Sequence, residues 1–316
     1  MIDVGEYVGF VEREYLHGYV EQGGAAVKFV VGTDDGVAET FAAQLSTAAA
    51  GAGYTVARVD AAETRVHLLE EVFYQVARQV DWDGLAEVAA RAAIDAAGYP
   101  AAGSGLSLDQ LATHHRVEAR ELRRDIDREL QLRVHRDYAM VAEFRTAMLR
   151  LCQAQLRTGQ VAEAEHAAVL DWLRGDLRQI SALKSALIFR RIGRHNARPM
   201  LFSLAHWLAV NGRAGLALVL DIRRLGYARR PSPGERHGHY YTKASLLDAY
   251  EVLRQMVDNT DELANCIVVV LASPAFVTDT VRGLDAYQAL KLRIFDEVRD
   301  RHRDNPFSSL LRLGAA

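Results

Sequence analysis

The chain has 316 residues, half of them hydrophobic and a quarter charged, with a formal net charge of −3 and a pI near 6.4. That length suits one elaborated or two modest domains around a large core, and the charge gives no global field that would favour DNA, RNA or anionic lipid, while leaving room for a local basic face. Cys152 and Cys266 stand too far apart in sequence for a disulfide framework or a metal motif, and without a cationic apolar leader or an apolar run of about twenty residues the expectation is a cytoplasmic protein with no membrane span.

Residues 1–25 carry Tyr7, Phe10, Val11, Tyr15, Leu16 and Tyr19 at the spacing of a short amphipathic helix that ends at Gly23-Gly24. An apolar run, Ala26 to Val31, then reads as a buried strand. It enters Gly32-Thr33-Asp34-Asp35-Gly36-Val37-Ala38-Glu39-Thr40 and a helix with Phe41, Leu45 and Ala48 on one face, and a second strand, Tyr54 to Val59, ends at Asp60. This is the grammar of a phosphate-binding strand–loop–helix, in which glycines aim backbone N–H groups at an anion, a lysine reaches the phosphates and a Ser or Thr hydroxyl ligates Mg²⁺. Aligned on Thr40, the lysine position holds Glu39; aligned on Gly32, it holds Ala38. Neither register supplies a cation, and lysine occurs only at Lys28, Lys184, Lys243 and Lys291.

From residue 66 to about 180 the pattern is helical, with stripes at Val66, Leu69, Val72, Phe73 and Val76, at 85–97, at 107–132, at 138–156 and at 161–173, and a small-residue loop over Ala101 to Leu106. The Arg120, Arg123, Arg124 and Arg128 cluster alternates with Glu118, Glu121, Asp125, Asp127 and Glu129, which reads as a solvated face of i,i+4 pairs rather than a DNA-reading helix. A helix over 196–211 precedes the apolar strand Leu216 to Asp221, whose terminal aspartate has the form of a Mg²⁺-organising residue; Ile222 stands where a glutamate would position the attacking water. The 225–243 loop holds His237 and His239, an HxH pair with no third ligand nearby, so no metal is assigned. A helix from 243 to 257 follows, then strand Cys266 to Leu271 ending at Ala272-Ser273-Pro274, where Ser273 could sense a γ-phosphate. A helix over 285–301 carries Lys291 and Arg293, and an apolar tail runs from Asn305 to Leu313.

Several pieces occur in a fixed order: Gly23-Gly24 before the loop strand, Arg120 to Arg136 with Tyr138, Trp172-Leu173-Arg174-Gly175, Asn196-Ala197-Arg198 before a helix and the Asp221 strand, then Arg282-Gly283-Leu284, Tyr287, Ala289-Leu290 and Arg293. In that order they resemble the ATP-binding domain family associated with BREX phage-defence systems, which looks like a branch of the AAA+/STAND-type P-loop ATPases. The resemblance implies an α/β fold, a P-loop NTPase-like three-layer sandwich with a mainly parallel, ASCE-type sheet and a large helical insertion. Residues 1–65 would form the first part of the core, 66–180 the insertion and 181–316 the remainder with a C-terminal helix. It implies ATP and Mg²⁺ as ligands and work on or near DNA in a larger assembly. The resemblance puts Gly36 and Thr40 on loop positions, Asp221 on the metal-organising aspartate and Arg293 on an arginine of the terminal helix. Together with the residue patterns themselves, the candidate cofactor-binding residues are Gly32, Gly36, Thr40, Asp221 and Ser273, and the candidate catalytic residues Glu39, Asp60, Asp221 and Arg293. Glu39 and Ile222 depart from the pattern at the two positions hydrolysis most needs.

The leading expectation is a degenerate P-loop ATPase-like protein, a pseudo-ATPase that regulates or scaffolds. The alternatives are an enzyme or small-molecule binder in the vacated crevice, where Glu39, Asp60, Asp221, Ser273, Arg223 and Arg293 would gather, and an atypical ATPase with Lys28 or an arginine replacing the loop lysine. Protein partners or self-association are expected, and net charge does not support nucleic acid.

Overall fold

The computed structural model describes residues 1–100, 108–227, 238–295 and 304–314. The expected loop over 101–106, most of the 225–243 loop with His237, and the distal part of the expected 285–301 helix lie outside these residues.

In chain order, strand β1 (Ile2–Asp3) leads into α1 (Val4–Val11), which continues as π-helical turns over Glu12–Val20. Next come β2 (Ala25–Gly32), α2 (Asp35–Gly51), β3 (Thr55–Asp60) and α3 (Leu69–Ala77). The chain then builds α4 (Trp82–Ala96), α5 (Leu108–His115), α6 (Ala119–Leu130), α7 (Ala142–Gln155), α8 (Glu163–Arg174) and α9 (Ala197–Val210). It returns through β4 (Leu216–Asp221), α10 (Lys243–Asp258), β5 (Cys266–Ala272), α11 (Ala275–Thr278), α12 (Gln288–Ile294) and β6 (Leu310–Gly314). Two compact units result: Met1–Gln79 with Arg213–Ala316, and Val80–Gly212. No described helix is long and apolar enough to cross a membrane.

The first unit holds the six-stranded sheet, in the order β1-β6-β2-β5-β4-β3, and every ladder is parallel. Buried on both faces, β2, β4 and β5 read as continuous apolar runs rather than alternating ones, which is why the sequence marks them so clearly. One face packs Ala26, Val30, Ala217, Val219, Ile267 and Leu311 against Tyr7, Phe41 and Leu45 of α1 and α2. On the other, Phe29 stacks on Phe276, which meets Tyr250 of α10 edge-on. The edge strand β3 is closed at Arg58, where the Gln79 side chain accepts from the Arg58 N–H at 3.0 Å and donates to its carbonyl at 2.9 Å, pairing groups that a sheet edge otherwise leaves open.

The connection leaving β2 carries the chain past β5 and β4 to β3, whereas the one leaving β5 goes to β6 on the far side of β2. Connections that diverge from neighbouring strands open a crevice at their carboxyl ends. The apolar tail expected at the C-terminus is strand β6, hydrogen-bonded between β1 and β2.

The second unit is helical. Trp82 meets Phe144 across α4 and α7 at 6.1 Å between ring centroids, and Trp172 and Trp207 are buried in the same unit. The arginine cluster of α6 pairs along its own helix, with Arg123 reaching Asp127 and Arg128 reaching Asp125 at 3.8 and 3.7 Å.

Candidate active site at the carboxyl edge of the sheet

β2 ends at Gly32 and α2 begins at Asp35, so only Thr33 and Asp34 join them. The turn is tight enough to require glycine: a Cβ on Gly32 would lie 2.8 Å from the Asp34 carbonyl oxygen and 2.9 Å from the Ala38 nitrogen. Asp34 is extended and caps the helix, its Oδ1 accepting from Val37 N–H at 3.0 Å while its carbonyl accepts from Ala38 N–H. A side-chain carboxylate therefore takes up a helix N-terminus of the kind that binds anions. Gly36 and Thr40 are exposed on α2, and neither lines the crevice.

Asp60 and Asp221 are register partners at the ends of β3 and β4. Asp60 Oδ1 accepts from Ala62 N–H at 2.7 Å. Asp221 is 2% exposed, and its carboxylate is held by Arg223, whose Nη2 and Nε lie 2.6 and 3.0 Å from its two oxygens. The Arg223 backbone N–H adds a third bond at 3.1 Å. Ile222, between them, is buried, its side chain in the core.

Arg223 also reaches α2. Asp35 and Glu39 stand four residues apart and so share one helix face; Arg223 Nη1 donates to Asp35 Oδ1 at 2.9 Å and Nη2 to Glu39 Oε1. Arg58, from β3, donates to the same Glu39 oxygen at 2.8 Å and lies 3.4 Å from Asp221 Oδ2. The Arg58 hydrogen bond, helped by Arg223, holds the Glu39 carboxyl below the usual carboxylate range against the opposing effect of burial. Asp221, chiefly by accepting hydrogen bonds, holds the Arg223 guanidinium above the usual arginine range.

Beside this network lies a cavity of about 460 Å³ lined by Asp35, Asp60, Asp221, Arg223, Tyr227 and Ser273, among others. Of the residues singled out in the sequence, Asp60, Asp221, Arg223 and Ser273 meet at the cavity, and Glu39 joins them through Arg223. Gly32 borders a separate apolar cavity of about 230 Å³ with Val31, Pro274 and Leu313. Arg293 is elsewhere, paired with Asp258 and donating to the Ala289 carbonyl at 2.6 Å. Lys28 is buried, its Nζ donating to the Phe307 and Ser308 carbonyls at 2.6 and 3.1 Å, over the Tyr15 ring and at the amino end of β6. His239 Nε2 sits 3.1 Å from the Glu63 carbonyl, and among the described residues no three His, Cys, Asp or Glu side chains are grouped to hold a metal.

Arg58 is the one network member that sequence reasoning passed over. Its signal is a charge two residues before the terminal aspartate of an otherwise apolar strand, Thr55-Val56-Ala57-Arg58-Val59-Asp60. No curated protein and no solved structure gives a match. The family comparison matches residues 12–315 to the BREX system ATP-binding protein BrxC/D family. With the parallel sheet, the strand–turn–helix at Gly32 and the aspartate-terminated β4 all in place, the chain belongs to that BREX ATP-binding family.

Proposed function

We propose that the chain is an ATPase-like subunit whose nucleotide site is closed from within, serving a BREX assembly as a regulatory or scaffold component rather than as the subunit that hydrolyses ATP. The observation that carries this reading is the Arg223 guanidinium, which donates at once to Asp221, Glu39 and Asp35.

ATP with Mg²⁺ needs a free cation for its phosphates and a free carboxylate for its metal. Here the guanidinium and the Asp221 carboxylate neutralise each other, and Asp34 takes up Val37 N–H at the helix start. The residues present do not fit the group in this arrangement. A phosphate about 4 Å from Glu39 would meet repulsion on the order of 4 kcal/mol at an effective dielectric near 20, against about 8 kcal/mol for the whole of a micromolar affinity. Ile222 supplies no base to activate water.

A second reading is favoured by the 460 Å³ cavity: a small polar metabolite held between Asp60, Arg224, Tyr227 and Ser273. Calorimetric titration with ATP and Mg²⁺, paired with a phosphate-release assay, tests the first reading; the expected result is no binding in the micromolar range and no turnover. Tight binding with steady phosphate release overturns it. A metabolite that raises the melting temperature where ATP does not, and loses that effect in Ser273→Ala, would favour the second.

A further inference from the structure

Between Asp176 and Asp221 the sequence contains no carboxylate. The part of that stretch in the helical unit, residues 177–212, carries Arg178, Lys184, Arg190, Arg191, Arg194 and Arg198. This is a local charge of +6 in a chain whose other residues sum to −9. On α6, by contrast, Arg123, Arg124 and Arg128 stand beside carboxylates of their own helix. Lys184, Arg190, Arg191 and Arg194 are all exposed, and among the described residues none of the four is in an ion pair.

The segment is held in shape. After a 3₁₀ turn at Ile180–Leu183, residues 188–193 run without regular secondary structure to the start of α9. Leu183, Ala186, Ile188 and Ile192 are buried and anchor it. Trp172 Nε1 donates to the Arg190 carbonyl at 2.9 Å, and Asn196 accepts from Gly193 N–H at 2.7 Å while donating to the Arg191 carbonyl at 3.3 Å. The two sequence boxes around Trp172 and Asn196 thus hold the same stretch of strap, residues 190–193. Its outward side carries Phe189, 64% exposed, and Leu187, 69% exposed. Leu187 adopts φ of 59°, a left-handed conformation that strains a non-glycine residue, while its side chain stays 69% exposed.

We propose that this strap, residues 177–198 of the helical unit, is a docking surface for single-stranded nucleic acid, with Arg190, Arg191 and Arg194 on phosphates and Phe189 stacked on a base. Guanidinium groups match phosphate oxygens with paired donors. An exposed aromatic beside them provides the stacking platform that single-strand binders use. Two apolar side chains without an amphipathic helix are too little to hold a membrane surface. A negatively charged protein would use the cations but has no use for a stacked Phe189. The inference does not depend on the crevice reading.

The test is fluorescence anisotropy of the whole chain with a labelled oligothymidylate of about 20 nucleotides, long enough for a site of about 4–16 nucleotides. Binding should weaken as salt rises. The triple variant Arg190→Ala, Arg191→Ala, Arg194→Ala should lose at least about tenfold in affinity at low salt and flatten the logarithmic salt slope by about 2, as expected for three lost single-strand phosphate contacts. Phe189→Ala should cost about tenfold on the single strand and little on a duplex of the same sequence. The triple variant Arg123→Ala, Arg124→Ala, Arg128→Ala should bind as the parent does. Circular dichroism checks that each variant is folded, and Arg194→Glu alone replaces the first triple variant if that one is not. No binding at low salt overturns the proposal. So does affinity untouched by the strap substitutions, or a duplex, polyglutamate or phosphatidylserine vesicles held as tightly through the same residues.

Discussion

Removing Arg223 should cost the fold more than any other single change at the crevice. Asp221 is 2% exposed, and Arg223, whose side chain is 16% exposed, supplies three of the hydrogen bonds to its carboxylate through Nη2 and Nε. Breaking a buried charge pair from one side typically costs about 3–5 kcal/mol, because the remaining charge is left in a poorly solvating site. Arg58 stays 3.4 Å from Asp221, which places Arg223→Ala toward the lower end, about 3 kcal/mol. The double variant Arg223→Ala, Asp221→Asn removes the stranded charge and should recover part of that loss, so a second substitution restores stability. Asp221→Asn alone leaves Arg223 with Glu39 and Asp35 and should cost less than Arg223→Ala. The assay is urea unfolding followed by far-ultraviolet circular dichroism, because all three tryptophans, Trp82, Trp172 and Trp207, lie in the helical unit and their fluorescence reports the wrong half of the chain. If Arg223→Ala costs under about 0.5 kcal/mol, within the range of an ordinary surface change, or the two substitutions simply add, the network does not hold the crevice together.

Three further changes probe the surrounding structure. Asp34→Ala removes the cap of α2 and should cost about 1 kcal/mol in the same unfolding assay, while Asp34→Asn, which can still accept from Val37 N–H, should cost less. Gln79→Ala leaves the Arg58 N–H and carbonyl on the open edge of β3; a loss of about 1–2 kcal/mol is expected, with faster amide hydrogen exchange at Arg58 as the local readout. Glu251 is held at about 2 by two hydrogen bonds from Arg254, with Tyr287 and Gln255 donating as well. Its folded value lies below the usual 4.5, so its contribution is present above about pH 5 and is lost as pH falls from there toward 2. Glu251→Gln should therefore cost about 1–2 kcal/mol at pH 7, the discounted worth of a partly exposed pair, and almost nothing near pH 2.

What the sequence revealed follows the range over which each signal acts. The runs 26–31, 216–221 and 266–271 mark β2, β4 and β5 to within about a residue, because a strand covered on both faces is apolar nearly throughout, Lys28 and the terminal Asp221 being the exceptions. Strand β6 was legible only as an apolar tail: Leu310-Leu311-Arg312-Leu313-Gly314 is too short to show a period, and its place between β1 and β2 comes from pairing partners about three hundred residues apart in sequence. The expected helix over 285–301 is a 3₁₀ turn at Leu284–Ala286 followed by α12, within the described residues. The Arg282-Gly283 pair turns out to be structural. Arg282 clamps the carbonyls of Leu225 and Tyr241 at 2.8–3.1 Å, and a Cβ on Gly283 would sit 2.3 Å from the Asp279 carbonyl. At the crevice, the acids at 35, 39, 60 and 221 and the arginine at 223 could be read in sequence, but Arg58 and the pairing itself could not. Arg223 and Glu39 are 184 residues apart, and nothing local in either segment announces the pair.

The position of that cation also decides what joins α2 to β4. A lysine in the turn after β2 would sit on α2 itself, and the carboxylate of β4 would then meet it only across a bound phosphate and metal. In this chain the positive charge follows the β4 aspartate instead, so the same guanidinium reaches back to Asp221 and across to Asp35 and Glu39 of α2. The helix and the strand are tied directly through one guanidinium. Acids gathered at a strand edge are mutually repulsive unless something positive stands among them. Here the chain supplies the positive charge itself, so the acids of α2 and β4 are answered from within the fold.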